Sequence, residues 1–184
     1  MPKIRTDKET LVRKSLGVFR KRGYHHTSIA DLAEACGVEK PHFYYYFRNK
    51  PDIMQEVLLH THKLIRKRIL AVADDTRLNV QEKLNTMLER TFRINTISNS
   101  GCLMGNTVLE VSDNEPEFIP LLQAYFMDWI NAFEHIFIER QSPETAHKNA
   151  KASLEELQGG IMLMRLFRDT SYLSDAIENI KKKL

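Results

Sequence analysis

Apolar residues recur at three- and four-residue spacing along almost the whole chain, and few segments alternate with the period of two that a half-buried strand requires. This pattern restricts the 184 residues to a fold made almost entirely of helices. Cap signals divide it. Thr6-x-x-Glu9, Ser28-x-x-Asp31, Asn49-x-x-Asp52 and Asn79-x-x-Glu82 each place an acidic residue three positions after a side-chain acceptor, so that the first free amides of a helix are satisfied locally. Pro41, Pro51 and Pro143 fall where a first helical turn is expected, the place where a missing amide proton costs least.

The predicted first helix starts near Thr6, buries a face of Leu11, Val12, Ser15, Leu16 and Phe19, and closes at Gly23 in a left-handed conformation. Two short helices follow, separated by a turn at Gly37. A long helix then runs from Asn49 to about Ala73, roughly 35 Å at about 1.5 Å per residue. A fifth carries Val80, Leu84, Leu88 and Phe92, and a break within 98–106 precedes a short one. The apolar-rich stretch 121–138, a helix opened by Ser142-Pro143, and a last one over 171–183 complete the order. No internal repeat is visible, which argues against a solenoid.

Charge is unevenly spread. Residues 1–50 carry eleven Lys/Arg against five Asp/Glu, a net of +6, and residues 51–184 carry sixteen against nineteen, a net of −3. A nucleic-acid reader joined to a second module shows this asymmetry, although a lysine-rich solvated surface gives the same count. Two cysteines, Cys36 and Cys102, make no disulfide framework and fit a reducing compartment. No apolar run approaches the roughly 20 residues of a membrane helix, and none follows the charged start as in a signal peptide, so a cytoplasmic protein is expected. HExxH, CxxC, GxSxG and phosphate-loop patterns are absent, and His60 and His62 diverge on a helix. No metal, cofactor or catalysis is therefore expected. An enzyme would need convergent polar groups, and a helical interaction module would leave the next feature unexplained.

That feature is residues 28–50, SIADLAEACGVEKPHFYYYFRNK. Two helices of about seven residues around a glycine turn have helix-turn-helix dimensions. Ile29, Leu32, Ala33, Val38 and Phe43 have the spacing to pack against the first helix, leaving Lys40, His42, Tyr44, Tyr45 and Tyr46 as surface. Three consecutive tyrosines beside Lys40, Arg48 and Lys50 are costly as inert surface. Against a duplex, their hydroxyls and the lysines bind phosphate oxygens while the rings meet sugars and thymine methyls.

These residues resemble the N-terminal domain of the TetR-type repressors. The elements are Phe19, Gly23 and Tyr24, then Thr27-Ser28-Ile29, Leu32-Ala33, Gly37-Val38, and Tyr44, Tyr46, Phe47 and Lys50, about 45 residues without a gap. Cys36 stands where alanine is usual, and Pro41, where a small residue is common, lies at the DNA-facing start of its helix. The resemblance implies an all-α protein, with a three-helix helix-turn-helix DNA-binding domain over 1–50 and a C-terminal helical bundle for ligand sensing and dimerisation over 51–184. It also implies roles. Thr27 and Ser28 anchor phosphate, Lys40 and His42 reach base edges, Tyr44 and Lys50 bind phosphates, and Tyr45 and Tyr46 meet the groove wall. Phe43 and Phe47 are core.

One helix-turn-helix makes too few contacts for operator specificity, so a homodimer on a palindromic double-stranded operator is expected. Leu121, Leu122, Tyr125, Phe126, Trp129, Ile130, Phe133, Ile136 and Phe137 exceed one core stripe, and Gly159-Gly160 interrupts the next helix; both are candidates for the subunit interface. An internal glycine contact is the alternative. Cys102 stands near a predicted helix start, where a dipole favours a thiolate, and Gly101-Cys102-Leu103 with Glu110-Val111-Ser112 is similar to a branch of the family in which some members sense electrophiles or oxidants at this cysteine. A small buried hydrophobe is the other reading of Cys102. Family logic places a pocket for a small-molecule effector inside the C-terminal helices, with His60, Met87, Phe92, Met104, Tyr125 and Trp129 as lining or plain core. Release from the operator then follows from effector binding or from modification of Cys102.

Overall fold

The computed structural model describes residues 7–98, 101–111 and 115–184, the side chain of Ser98 excepted. Among them are α1 (Lys8–Arg22), α2 (Ile29–Cys36), α3 (Lys40–Tyr46), α4 (Lys50–Arg68), α5 (Val80–Ser98), α6 (Leu103–Glu110), α7 (Ile119–Phe137), α8 (Pro143–Phe167) and α9 (Ser171–Lys181). Two 3-10 turns, Leu70–Asp74 and Pro116–Phe118, join them, and the described residues contain no strand.

Caps account for most of the boundaries. At α2 the Ser28 and Asp31 side chains each bond the other's backbone amide, and Asn79 and Glu82 do the same before α5. Asn49 accepts from the Asp52 amide and Ser142 from the Thr145 amide. At α1 the expectation fails: the cap is Asp7, accepting from Thr10 N at 2.7 Å, and Thr6 lies outside the described residues. Gly23 has a positive φ of 82°, but its ψ of 170° is not left-handed helical; that conformation belongs to Gly37 (φ 69°, ψ 34°). The Gly37 turn sets α3 across α2, with Val38 N donating to Ala33 O at 3.0 Å.

α4 stops at Arg68, not near Ala73. The residues that follow bury Ile69, Leu70, Val72 and Ala73, which a continuing α-helix would spread around its circumference. The tighter turn tucks them against α5 and α7, and Arg90 Nη1 from α5 donates to the Arg68 carbonyl at 2.8 Å, satisfying one of the acceptors freed there.

α7 runs through the middle of the molecule, touching α4, α5, α6, α8 and both 3-10 turns. Its apolar surplus is spent there. Leu122, Tyr125, Trp129, Phe133, Ile136 and Phe137 are buried within the chain, and Leu121, Phe126 and Ile130 are packed against the same core. The six buried residues are therefore core and not a subunit interface. Gly160 is internal as well: an added Cβ would come within 2.9 Å of the Ala176 side chain on α9, whereas Gly159 faces open space. The core runs without a break from Leu11, Phe19, Leu32 and Phe43 through Ile53 and Val57 to α9.

Candidate DNA-reading surface and effector cavity

α3 has two unlike faces. Phe43 is fully buried and Phe47 nearly so, their rings 5.9 Å apart, and they hold the helix on the core. Opposite Phe43, two residues to either side, stand Pro41 and Tyr45, and Tyr45 is 80% exposed. Lys40 and Tyr44 are exposed beside them, and His42 is half-buried. Tyr46 leans back onto the core while its ring meets Tyr45 edge-on at 4.8 Å and His42 at 5.5 Å. The outer face of α3 is thus an aromatic strip with a lysine at its start.

Three expected DNA contacts look different in place. Thr27 is 2% exposed, its hydroxyl donates to Gly23 O at 2.6 Å and its amide to Tyr24 O, so its donors serve the turn and not the surface. Ser28 is exposed but occupied as the cap of α2. Lys50 turns inward. Its ammonium donates to Tyr24 O at 3.0 Å and lies 4.2 Å from the centre of the Tyr24 ring, and burial pulls its pKa down against the raising influence of Glu115 and Glu110.

Tyr24 is the hub behind this surface. Its ring meets Phe19 and Phe118, and burial, with Glu115 and Glu117 nearby, pushes the phenol up to about 12. Glu110, at the end of α6, accepts from Tyr24 N at 2.6 Å and His25 N at 3.2 Å, and its carbonyl accepts from His25 Nε2 at 3.0 Å. Gly23 makes room for that carboxylate, since an added Cβ would lie 2.7 Å from Glu110 Oε1. At the other end of α6, Arg20 Nη2 donates to Gly101 O at 3.2 Å. Both ends of α6 are therefore tied to α1 or the turn that follows it.

Beside the Arg20–Gly101 tie lies a cavity of about 70 Å³, far below the roughly 300–1,000 Å³ of a drug-sized site. Cys102, Met104, Tyr125 and Trp129 line it as expected. His60, Met87 and Phe92 do not: Met87 is fully buried in the core, Phe92 is packed against it, and His60 is half-buried elsewhere on α4. Cys102 is the half-buried N-cap of α6, its sulfur accepting from Gly105 N at 3.4 Å. Burial drives the Tyr125 phenol well above its ordinary pKa, with Cys102 acting in the same direction and Arg20 against it. Leu16 and Arg20 of α1 also line the cavity, and the sequence reading missed them. Arg20 sits in a basic last turn, Arg20-Lys21-Arg22, that reads as an ordinary complement to the helix dipole.

Similarity to known proteins follows the same division. The tetR family of bacterial regulatory proteins matches residues 11–57, and the C-terminal domain of LmrA/YxaF-like transcriptional regulators matches residues 79–179. The transcriptional repressor DhaR of Mycobacterium sp. (strain GP1) is 26% identical over 168 residues, covering 88% of this chain and 84% of that one. A TetR transcriptional regulator from Legionella pneumophila, 20% identical, superposes with a TM-score of 0.90 over 99% of both chains. CifR, a TetR-family regulator solved as a cysteine mutant with a 26-bp double-stranded operator, is 20% identical and superposes with a TM-score of 0.78 over 96% of this chain and 95% of that one. With a helix-turn-helix at one end, a helical bundle at the other and a match to each, this chain belongs to the TetR family of transcriptional regulators.

Proposed function

We propose that the protein represses transcription by gripping a palindromic operator as a homodimer, and that a small effector, or modification of Cys102, releases it. The observation that carries the reading is α3, which buries Phe43 and Phe47 while holding Lys40, Pro41, Tyr44 and Tyr45 in water. Exposing two tyrosines beside a lysine has little use except against a partner, and sugars, phosphates and thymine methyls match their chemistry. His42 reads base edges and Tyr46 supports the strip from behind. Ser28 and the α2 N-terminus face phosphate, with Thr27 shaping the turn beneath them. Lys50 contributes positive field from its inward position. CifR in its complex holds operator DNA as a protein of the same fold.

The dimer forms on α8 and α9. Gly159, Met162 and Leu166 fall at spacings of three and four on one side of α8, open or exposed, and Phe167 stacks on Tyr172 at 5.1 Å beside them. A second copy covers this stripe. The reading head is residues 1–50 and the sensing and dimerising body 51–184, with α4 packed in both, and the protein works where the chromosome is, in the cytoplasm.

Release is a population shift. An effector that prefers one setting of α6 against α1 changes the separation of the two heads and so their fit to the operator. Mobility shift with DNA from upstream of the protein's own gene tests the reading. Binding is expected at modest ionic strength with a steep salt dependence, and joint replacement of Lys40, Tyr44 and Tyr45 by alanine should abolish it. Unaltered affinity in the triple variant would refute the assignment.

A further inference from the structure

The cavity beside Cys102 is apolar along most of its wall, with Leu16, Leu64, Ile65 and Leu157 among its lining. Its polar part includes Asn95, Gln158, Tyr125, Trp129 and Arg20. Trp129 is 2% exposed, and its indole Nε1 is buried with no hydrogen-bond partner. An indole N–H can only donate, and the neighbouring Tyr125 phenol oxygen answers it only in part, without a hydrogen bond of ordinary geometry. Arg20 repeats the situation. Its Nη2 is engaged by Gly101 O, its Nε is buried without a partner, and among the described residues no carboxylate pairs with it. Tyr125 lies near both groups, its ring 6.5 Å from that of Trp129 and its phenol within the field of Arg20. Two under-satisfied donors on residues that line one small cavity, one of them a guanidinium, call for an anionic acceptor with an apolar tail.

We infer that the effector is a short-chain carboxylate, its oxygens accepting from Trp129 Nε1 and Arg20 Nε and its hydrocarbon lying against the leucine and isoleucine wall. The volume of about 70 Å³ restricts the hydrocarbon to a short one. The identity of the donors gives the ligand a mechanical effect. Arg20 belongs to α1 of the reading head and Trp129 to α7 of the body, so a carboxylate held by both couples α1 to α7 through the same guanidinium whose Nη2 ties α1 to Gly101 O at the start of α6. This inference rests on the effector-release reading above.

The chain has one tryptophan, so intrinsic fluorescence reports from the site itself. In the full-length protein, butyrate should produce a saturable change. Butyramide, of the same shape without the charge, should need about tenfold higher concentration, the difference a charge-assisted bond makes, and butylamine should give none. Arg20→Gln should erase the preference for butyrate over butyramide, whereas Arg20→Lys, which keeps the charge, should retain part of it; circular dichroism checks that both are folded. Equal responses to all three compounds, no saturable response to butyrate, or a butyrate preference that survives in Arg20→Gln would overturn the inference. A parallel mobility-shift titration separates the two readings. Butyrate that frees operator from the wild type but not from Arg20→Gln supports both. Butyrate that binds without freeing DNA leaves the site standing and sinks the effector reading, and release by other compounds with no butyrate binding does the reverse.

Discussion

α3 and α7 are both dense in aromatic residues, and the two helices use them in opposite ways. On α7, Tyr125, Trp129, Phe133 and Phe137 recur every four residues, form a column with Phe133 stacked on Phe137 at 6.1 Å, and are all buried. On α3 only Phe43 is buried, and Tyr44 and Tyr45 stand in water. Aromatic content alone therefore separates neither core from surface nor structure from recognition. What separates them is the number of helix faces the aromatics occupy and what surrounds those faces. A run of adjacent aromatics on a short helix must place some outward, whereas a repeat of four can bury every member. Within each helix one group departs from the rule of its neighbours. Tyr46 is drawn inward on α3, and Trp129 on α7 is buried without a hydrogen bond of ordinary geometry for its N–H.

Truncations at matched positions test this contrast most strongly. Phe43→Ala and Phe133→Ala should each cost about 3–5 kcal/mol in denaturant melts, because each removes a fully buried ring. Tyr45→Ala should change stability by no more than about 0.5 kcal/mol. In mobility shift the order inverts for the head: Tyr45→Ala, fully folded, should lose operator affinity, and a variant that binds as the wild type does would remove Tyr45 from the reading surface. A smaller effect is expected where head and body meet. Glu110→Ala deprives the Tyr24 and His25 amides of their acceptor and should cost about 1–3 kcal/mol by the same melts. A loss below about 0.5 kcal/mol would mean that the tie between α6 and the turn is not maintained in solution.

The smallest effect concerns the cap of α2. Hydrogen bonds from the Ser28 side chain and then its amide, with Arg22 adding its charge, hold the Asp31 carboxyl down to about 2. Because the folded value lies below the unfolded one of about 3.9, the contribution is complete above roughly pH 5 and disappears as pH falls toward 2. Asp31→Asn should therefore unfold more easily than the wild type at neutral pH, with the difference fading across that acid range in far-ultraviolet circular dichroism. A difference independent of pH would assign the effect to something other than the carboxylate.

The head was readable in advance because its information is local. Cap pairs three residues apart, the Gly37 turn and the packing phase of Leu32, Ala33 and Phe43 all lie within a few turns of one another. The cavity was half readable. Cys102, Met104, Tyr125 and Trp129 could be named from a resemblance and from residue type, but Arg20 meets them across 81 residues of chain, through a contact to Gly101 that no local pattern announces. Lys50 illustrates the same limit from the other side. Its position in the motif is local, but the Tyr24 carbonyl and ring that turn it inward come from 26 residues away. Burial of the α7 surplus likewise depends on how many neighbours the helix acquires, which its own sequence does not state.

The fit between Gly23 and the Glu110 carboxylate bears on how such proteins can be recombined. A head grafted from another protein onto this body would need glycine at the equivalent of position 23, because a methyl group there would occupy the space of the carboxylate and adopt a φ of 82° that side chains resist. Chimeras that ignore this pairing should lose the grip of α6 on the transplanted head even where every DNA-facing residue is preserved.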